Sequence, residues 1–325
     1  HCNNTGASLM KYTLTQNGGR TIEVVRCFPE YTKFDKNASY EELSYNGRFI
    51  GLAGYKTAAN QWGYNMDIFI YDIKNDIKHT PFQVPINPTW GPYIPDNVTI
   101  SPLGDYAIVN WGGGGDARYA GMESFDLDMN YIGKVRTGHG HLDLAVDTNG
   151  TEWAVDTSPD NYVGVIGPLV KKNRIPKGYD DWTAGDKTGI VSLLRFDWNL
   201  NTHISCQGQR TGWCVVEGYD SDPSHTWYPL RNEIIKIYLD STEANPHIER
   251  IVHHRSDTFS SATNCPSVDG IGYWAQPHAT ISPDGSKIIF GSTWGQNCFV
   301  ESYVMNSVSG SDIIPPAAPT GLSIS

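Results

Sequence analysis

The sequence predicts an all-β fold, a seven-bladed β-propeller of four-stranded antiparallel blades. Of 325 residues, 33 are Gly and 19 are Pro, while only 18% are charged. That mix favours short strands and tight turns over long amphipathic helices. The segments "ISPLGDYAIVNWG" and "ISPDGSKIIFGSTWG" repeat one unit, a Ser-Pro-x-Gly turn between two β-runs that closes on Trp-Gly. Comparable units recur along the chain, and division by the roughly 45 residues of a propeller blade gives about seven.

The elements follow in order. "MKYTLTQN" and "IEVVRCFP" near the start read as strands that complete the ring with C-terminal strands. Residues 43–55 then lead to 65–75, 98–112 to 122–135, 142–156 to 189–199, and 279–295 to 299–306. Each pair is a turn, an alternating strand, another turn and a second strand. "EIIKIYLD" (233–240) and "ERIVHHR" (249–255) supply the strands of another blade. Pro fixes φ and Gly supplies positive φ, so these turns join antiparallel neighbours. Ring closure removes free sheet edges, which keeps many short strands soluble. The competing architecture is an array of β-sandwiches. Residues 1–312 are assigned to the propeller domain. Residues 313–325, "IIPPAAPTGLSIS", read as a Pro-rich linker and the first strand of a truncated module resembling fibronectin type III.

Composition bounds the partners. The formal net charge of −11 is opposite to that of a non-specific nucleic-acid binder. An anionic substrate would have to be met by a local basic cleft. No apolar run approaches the roughly 18 residues of a membrane span. The chain starts at His1 without a basic leader, so the expectation is a secreted protein whose targeting peptide has been removed. It is expected to be a monomer, tethered to C-terminal modules in the full-length protein. Sequons at Asn3, Asn37, Asn97 and Asn149 are compatible with export. Proximity of the six cysteines suggests disulfides Cys2–Cys27, Cys206–Cys214 and Cys265–Cys298. The rival is a zinc site taking ligands from His203, Cys206 and Cys214, with His278 as a further candidate.

Four stretches could carry chemistry. In "GHGHLDL", glycines flank His139 and free the backbone ahead of a strand, so His139 and His141 can be aimed at a cavity. The pair could chelate alone only if the backbone twists, because it is the twist that brings the two imidazoles onto one ion. In "YDDWTAGDKTGIVSLLRFDW", Tyr179 opens a polar loop that leads to Arg195 on a strand. A guanidinium among apolar neighbours needs an anion, either a substrate or an internal partner such as Asp181 or Asp197. In "WAQPHATISPDG", Gln276 and His278 share a face and could contact a sugar or a metal. In "SHTWYPLRNEI", Tyr228 and Arg231 suit sugar stacking and carboxylate pairing. P-loop, dinucleotide fingerprint, nucleophile elbow and H-E-x-x-H are all missing.

"GHGHLDLAVD", the interval from Tyr179 to Arg195, and "QPHATISPDGSKIIFGSTWG" resemble the seven-bladed β-propeller polysaccharide lyases, above all the ulvan lyases. The last stretch also resembles the oligogalacturonate lyases, which place a His/Gln-bound metal in the channel. The resemblance covers most of residues 40–306. It implies a catalytic propeller that cleaves a uronic-acid polysaccharide by β-elimination, with ulvan as first choice and pectic or other glucuronate polymers next. His141 and Arg195 would bind the uronate carboxylate, and Tyr179 would act as base, acid or both. The chemistry so implied requires no cofactor and leaves room for a structural Ca2+ or Zn2+. These lyases carry a further histidine on the preceding blade, where this chain reads "WGGGGDARYAGMESFDLD". His139, Tyr119 or Arg118 would fill that place, with Trp111 as a further substrate-binding candidate, unless the substrate differs. The rival from another class is a non-catalytic carbohydrate-binding propeller.

Overall fold

One turn chemistry opens four of the sheets. The amides of Gly47, Gly104, Gly150 and Gly285 bond to the carbonyls of Ser44, Ser101, Asp147 and Ser282, each three residues back. All four glycines have positive φ, between 67° and 88°, a region that a Cβ makes costly. The first side chain of each turn then accepts a downstream amide. Ser44 Oγ takes that of Phe49 at 3.0 Å, Ser101 Oγ that of Tyr106 at 3.0 Å, and Ser282 Oγ that of Lys287 at 2.9 Å. Asp147 takes the amides of Asn149 and Thr151, both at 2.9 Å. The repeated Ser/Asp-x-x-Gly pattern is therefore the turn itself.

The computed structural model describes residues 6–15, 18–36, 38–39, 43–56, 65–87, 91–111, 118–136, 141–157, 169–174, 190–195, 200–206, 208, 212–219, 229–256, 275–294 and 300–307. Among them there is no helix. The strands are β1 (Ala7–Leu14), β2 (Arg20–Phe28), β3 (Tyr31–Phe34), β4 (Phe49–Lys56), β5 (Met66–Asp72), β6 (Ile77–Lys78), β7 (Phe82–Gln83), β8 (Ile86–Asn87), β9 (Gly91–Pro92), β10 (Pro95–Ile100), β11 (Ala107–Trp111), β12 (Gly121–Phe125) and β13 (Tyr131–Arg136). They continue with β14 (Leu142–Val146), β15 (Glu152–Asp156), β16 (Leu169–Arg174), β17 (Ile190–Arg195), β18 (Asn201–Ser205), β19 (Trp213–Tyr219), β20 (Glu233–Tyr238), β21 (Ile248–His253), β22 (Thr280–Ile281), β23 (Lys287–Ser292) and β24 (Glu301–Asn306).

Consecutive strands pair antiparallel into separate meanders. Four of these have four strands in sequence order, β3–β6 (with β7 beside β5), β10–β13, β14–β17 and β18–β21, and β22–β24 has three. β1–β2 and β8–β9 are two-stranded. The chain is thus an all-β protein with a propeller-like arrangement of four-stranded sheets.

Apolar cores lie between successive sheets. Phe49, Ile68, Val98, Trp111 and Phe125 join the first two meanders, and Ile108, Met122, Leu144 and Ala154 join the second to the third. Ala145, Val155, Val216 and Ile235 join the third to the fourth, and Val215, Ile234, Ile281 and Phe290 join the fourth to the fifth. Burial on both faces explains the near-continuous apolar runs of β5, β11 and β19.

The turn ends of these sheets also converge. Tyr45 donates its amide to Pro102 O at 2.7 Å and its hydroxyl to Cys206 O at 3.3 Å, so the first and fourth meanders touch. Buried Glu152 accepts the Leu103 amide at 2.7 Å, and buried Asp143 accepts that of Cys206 at 2.6 Å.

Cys206 and Cys214 form a disulfide across the β18–β19 connection. The expected pairing holds there, and the zinc reading is corrected for both residues because neither retains a thiolate. Cys27 is also disulfide-bonded, while Cys2, Cys265, Cys298 and the tail 313–325 lie outside the described residues. Closing so short a loop constrains the unfolded chain by about 2–3 kcal/mol. The double replacement Cys206→Ser and Cys214→Ser is expected to lower unfolding free energy by that amount, read as a shifted denaturant midpoint at unchanged slope.

His254, fully buried, ties the segment after β21 to β19 within the fourth sheet. Its Nε2–H donates to Gly218 O at 3.1 Å and its Nδ1 accepts the Ser256 amide at 3.0 Å, an arrangement that only the neutral ring satisfies. Burial accordingly pushes its pKa down to about 4. A base with a depressed folded pKa gives stability present above its unfolded pKa and lost as pH falls towards the folded value. Between pH ~6.5 and ~4 the wild type should lose about 3 kcal/mol from this residue. His254→Gln, which cannot protonate, should flatten that part of the pH–Tm curve; an unchanged slope would refute the assignment.

Candidate functional site

The first strands of three successive sheets each bring one histidine to the end opposite the turns. His141 immediately precedes β14, His203 lies within β18, and His278 stands two residues before β22. The His203 ring centroid is 4.2 Å from that of His141 and 4.6 Å from that of His278. Tyr219 stacks on His203 at 5.1 Å. His203 is buried, whereas His141 and His278 are exposed, so the row links the interior to solvent.

Glu217, on β19 and 1% exposed, organises this row. It accepts the His203 Nδ1 proton at 2.6 Å and the backbone amide of His278 at 3.0 Å. The Ala279 amide is its third donor. Occupying Nδ1 fixes the His203 tautomer and leaves Nε2 as the nitrogen able to accept a proton. His278 is held at φ +45°, a conformation costing of the order of 1–3 kcal/mol for a non-Gly residue. The Glu217 carboxylate, clamping two consecutive amides, offsets that strain.

His203 and His278 thus meet as metal candidates, with Gln276 near by in sequence and half-buried. Their rings stack, however, and among the described residues no group of three His, Cys, Asp or Glu side chains converges as a ligand set. The described donors as arranged do not converge on a metal position.

Arg118 and Trp111 belong to a different network. Glu123, fully buried on β12, accepts Trp111 Nε1–H at 2.8 Å and pairs with Arg118 and with Lys134, the latter at 3.0 Å. The Arg118 guanidinium lies 3.9 Å from the Tyr131 ring centroid. Trp111 is 1% exposed, so the expectation that it binds substrate is corrected. Its indole is a core group that satisfies Glu123. Tyr119 packs on Tyr93 and Trp111, with centroids 4.6 and 5.2 Å away.

Arg195 ends β17, the fourth strand from His141 in one sheet, about 14 Å across three inter-strand spacings. Its partner is Glu243, in the β20–β21 turn of the neighbouring sheet, at 2.8 Å from Nη2 and 3.1 Å from Nε. Asp181 and Asp197, considered as partners from the sequence, lie outside the described residues, as do Tyr179, His139 and Tyr228. Tyr179 belongs to the β16–β17 connection, whose flanking residues Arg174 and Ile190 lie at the Asp147–Gly150 end of the sheet, away from His141. Arg231 is half-buried before β20, between Leu230 and Asn232, both at positive φ.

Glu217 and Tyr219 escaped the sequence reading. "VVEG" carried a signal, because a carboxylate inside an apolar strand needs buried donors, but the donors come from His203 on the neighbouring strand and from His278 and Ala279 ahead of the next sheet, and no local spacing shows them.

No family model matches the chain, and no curated protein matches it. Among solved structures it is similar to an oligogalacturonate lyase in complex with manganese, at 13% identity over 90% of this chain and 69% of that one, with a TM-score of 0.51. It is also similar to Kuenenia stuttgartiensis hydrazine synthase, at 12% identity, 92% and 82% coverage and a TM-score of 0.41. A third is the β-propeller domain of the Trilobed protease from Pyrococcus furiosus, at 9% identity, 80% and 66% coverage and a TM-score of 0.42. At these identities the likeness is one of fold.

Proposed function

We propose that this chain is a secreted polysaccharide lyase, built on a ring of seven blades, that cleaves a uronic-acid polysaccharide by β-elimination. Ulvan is the first candidate substrate, and pectic or other glucuronate polymers come next. The observation that carries the reading is the row His141, His203 and His278 backed by Glu217. It offers imidazoles at graded depth where an acidic chain must receive an anionic polymer. A similar solved structure belongs to a uronate lyase, which lends support at the level of fold.

β-Elimination must neutralise the C6 carboxylate, remove the C5 proton and protonate the leaving O4. In this reading His141 meets the carboxylate, Arg195 joins it only when freed from Glu243, and Tyr179, whose connection is rooted at the opposite end of that sheet, has to reach back along it to take the C5 proton and return one to O4. His203, its tautomer fixed by Glu217, orders His141 and His278 on either side. The substrate proposed is an anionic polysaccharide, and neither nucleic acid nor a membrane is proposed as a partner. Export fits the disulfides.

The test is the ultraviolet absorbance of the C4–C5 unsaturated product during incubation with ulvan, polyglucuronate or polygalacturonate. A rise with any of them supports the lyase. Binding without a rise assigns the chain to the carbohydrate-binding class instead. Chelation followed by return of Ca2+, Zn2+ or Mn2+ tests whether an ion is needed, since the same absorbance then reports its effect.

A further inference from the structure

We infer that Arg255 and Trp294 form an anion-binding subsite for a second charged sugar unit of the substrate, flanking the histidine row. The inference rests on the reading of the chain as a binder of anionic polysaccharide, and it adds residues that the β-elimination chemistry does not use.

Arg255 is exposed, and no carboxylate among the described residues pairs with it. In a chain of net charge −11 such a cation has many carboxylates competing for it, and Arg26, Arg48, Arg118, Arg195 and Arg250 are all engaged by Asp or Glu partners; Arg255, like exposed Arg20 on β2, is not. The guanidinium carbon lies instead 5.3 Å from the ring centroid of Trp294. Trp294 is 38% exposed and stacks on Tyr303 at 5.1 Å, which stacks in turn on Phe290 at 5.5 Å. A ladder of rings rooted in the core thus ends in an exposed, oriented guanidinium. A planar fork held on an aromatic face is preorganised to receive an oxyanion bidentately, and the exposed indole edge adds apolar surface for a sugar ring.

The backbone supports the same assignment. Arg255 has φ +54° and Trp294 φ +49°, so both stand where L residues are disfavoured. Their neighbours lock them there. Ser292 Oγ donates to His254 O at 2.5 Å and accepts the Trp294 amide at 2.9 Å, and Ser256 Oγ accepts the Thr293 amide at 3.3 Å while donating to Ala275 O. Ala275 is three residues before His278, and the Gly291 amide bonds Pro277 O at 2.8 Å. The pair therefore stands at the same end of the fourth and fifth sheets as the histidine row. Strain at two adjacent exposed positions makes no contribution to folding; it does present the two side chains together.

The ligand chemistry is an oxyanion on a pyranose, either a uronate carboxylate or a sulfate ester. Binding is measured by tryptophan fluorescence and affinity electrophoresis with polyglucuronate, dextran sulfate and neutral dextran, on wild type, Arg255→Gln, Arg255→Gly and Trp294→Ala. Arg255→Gln is expected to weaken one or both polyanions about tenfold and to leave neutral dextran unchanged. Loss on polyglucuronate assigns a carboxylate, and loss on dextran sulfate alone assigns a sulfate ester. Arg255→Gly is expected to raise Tm while binding falls, because Gly relieves the positive φ; a purely structural Arg255 would not trade one for the other. Polyanion affinities within twofold of wild type in both Arg255 variants overturn the inference. Because the readout is binding, it stands even if no unsaturated product forms, so failure of the lyase reading and failure of the subsite are distinguishable.

Discussion

Glu217→Ala is expected to cost about 3–5 kcal/mol of unfolding free energy, the usual range for stripping the partner from buried charged hydrogen bonds, and to dismantle the histidine row at the same time. Three donors converge on this carboxylate: the Nδ1–H of His203 and the amides of His278 and Ala279. Each donor left unpaired in the interior costs about 1–3 kcal/mol. His278 loses in addition the clamp that holds it at positive φ. Glu217→Gln is only a partial remedy, since the amide oxygen can accept while its NH2 group faces donors. The expected order of denaturant midpoints is wild type, Gln, then Ala. Nitrogen-15 chemical shifts of His203 report the tautomer directly, and both variants should show exchange between the two forms. An Ala variant within about 1 kcal/mol of wild type, with a single His203 tautomer, would contradict the role given to Glu217.

The meander order was legible because it is local. Ser44, Ser101, Asp147 and Ser282 each meet their Gly within three residues, so a turn and its two strands are written in one short string. The site was legible only in part, because its bonds run between sheets. His141 and His278 could be found, since each stands beside the backbone-loosening or turn residues that open a blade. His203 looked like one member of a Cys/His cluster until the disulfide took its two neighbours. Trp111 shows the opposite failure. It was named as a substrate-binding candidate, whereas the indole is drawn inward by Glu123, another carboxylate hidden inside an apolar run. In both Glu123 and Glu217 the informative feature is a charge that the strand pattern cannot satisfy alone.

Tyr179→Phe and His141→Ala are expected to separate in their kinetics, and the separation tests the division of labour proposed for them. Removing only the phenol hydroxyl deletes proton transfer and leaves the ring, so kcat should fall about 10²–10⁴-fold with KM nearly constant. His141→Ala removes a contact to a carboxylate that is bound before it is activated, so KM should rise as kcat falls. Arg195 adds an internal control, because Glu243 already engages its guanidinium. If Arg195 meets the substrate, Arg195→Ala lowers kcat/KM about 10²-fold while Glu243→Ala, which releases the arginine, preserves or raises it. If instead the pair only ties two sheets together, both variants lose the same small stability, about 0.2–1 kcal/mol for a partly exposed ion pair, and leave kcat/KM unchanged. The second pattern would move carboxylate neutralisation onto the histidine row, where Glu217 already fixes the geometry of His203 and His278.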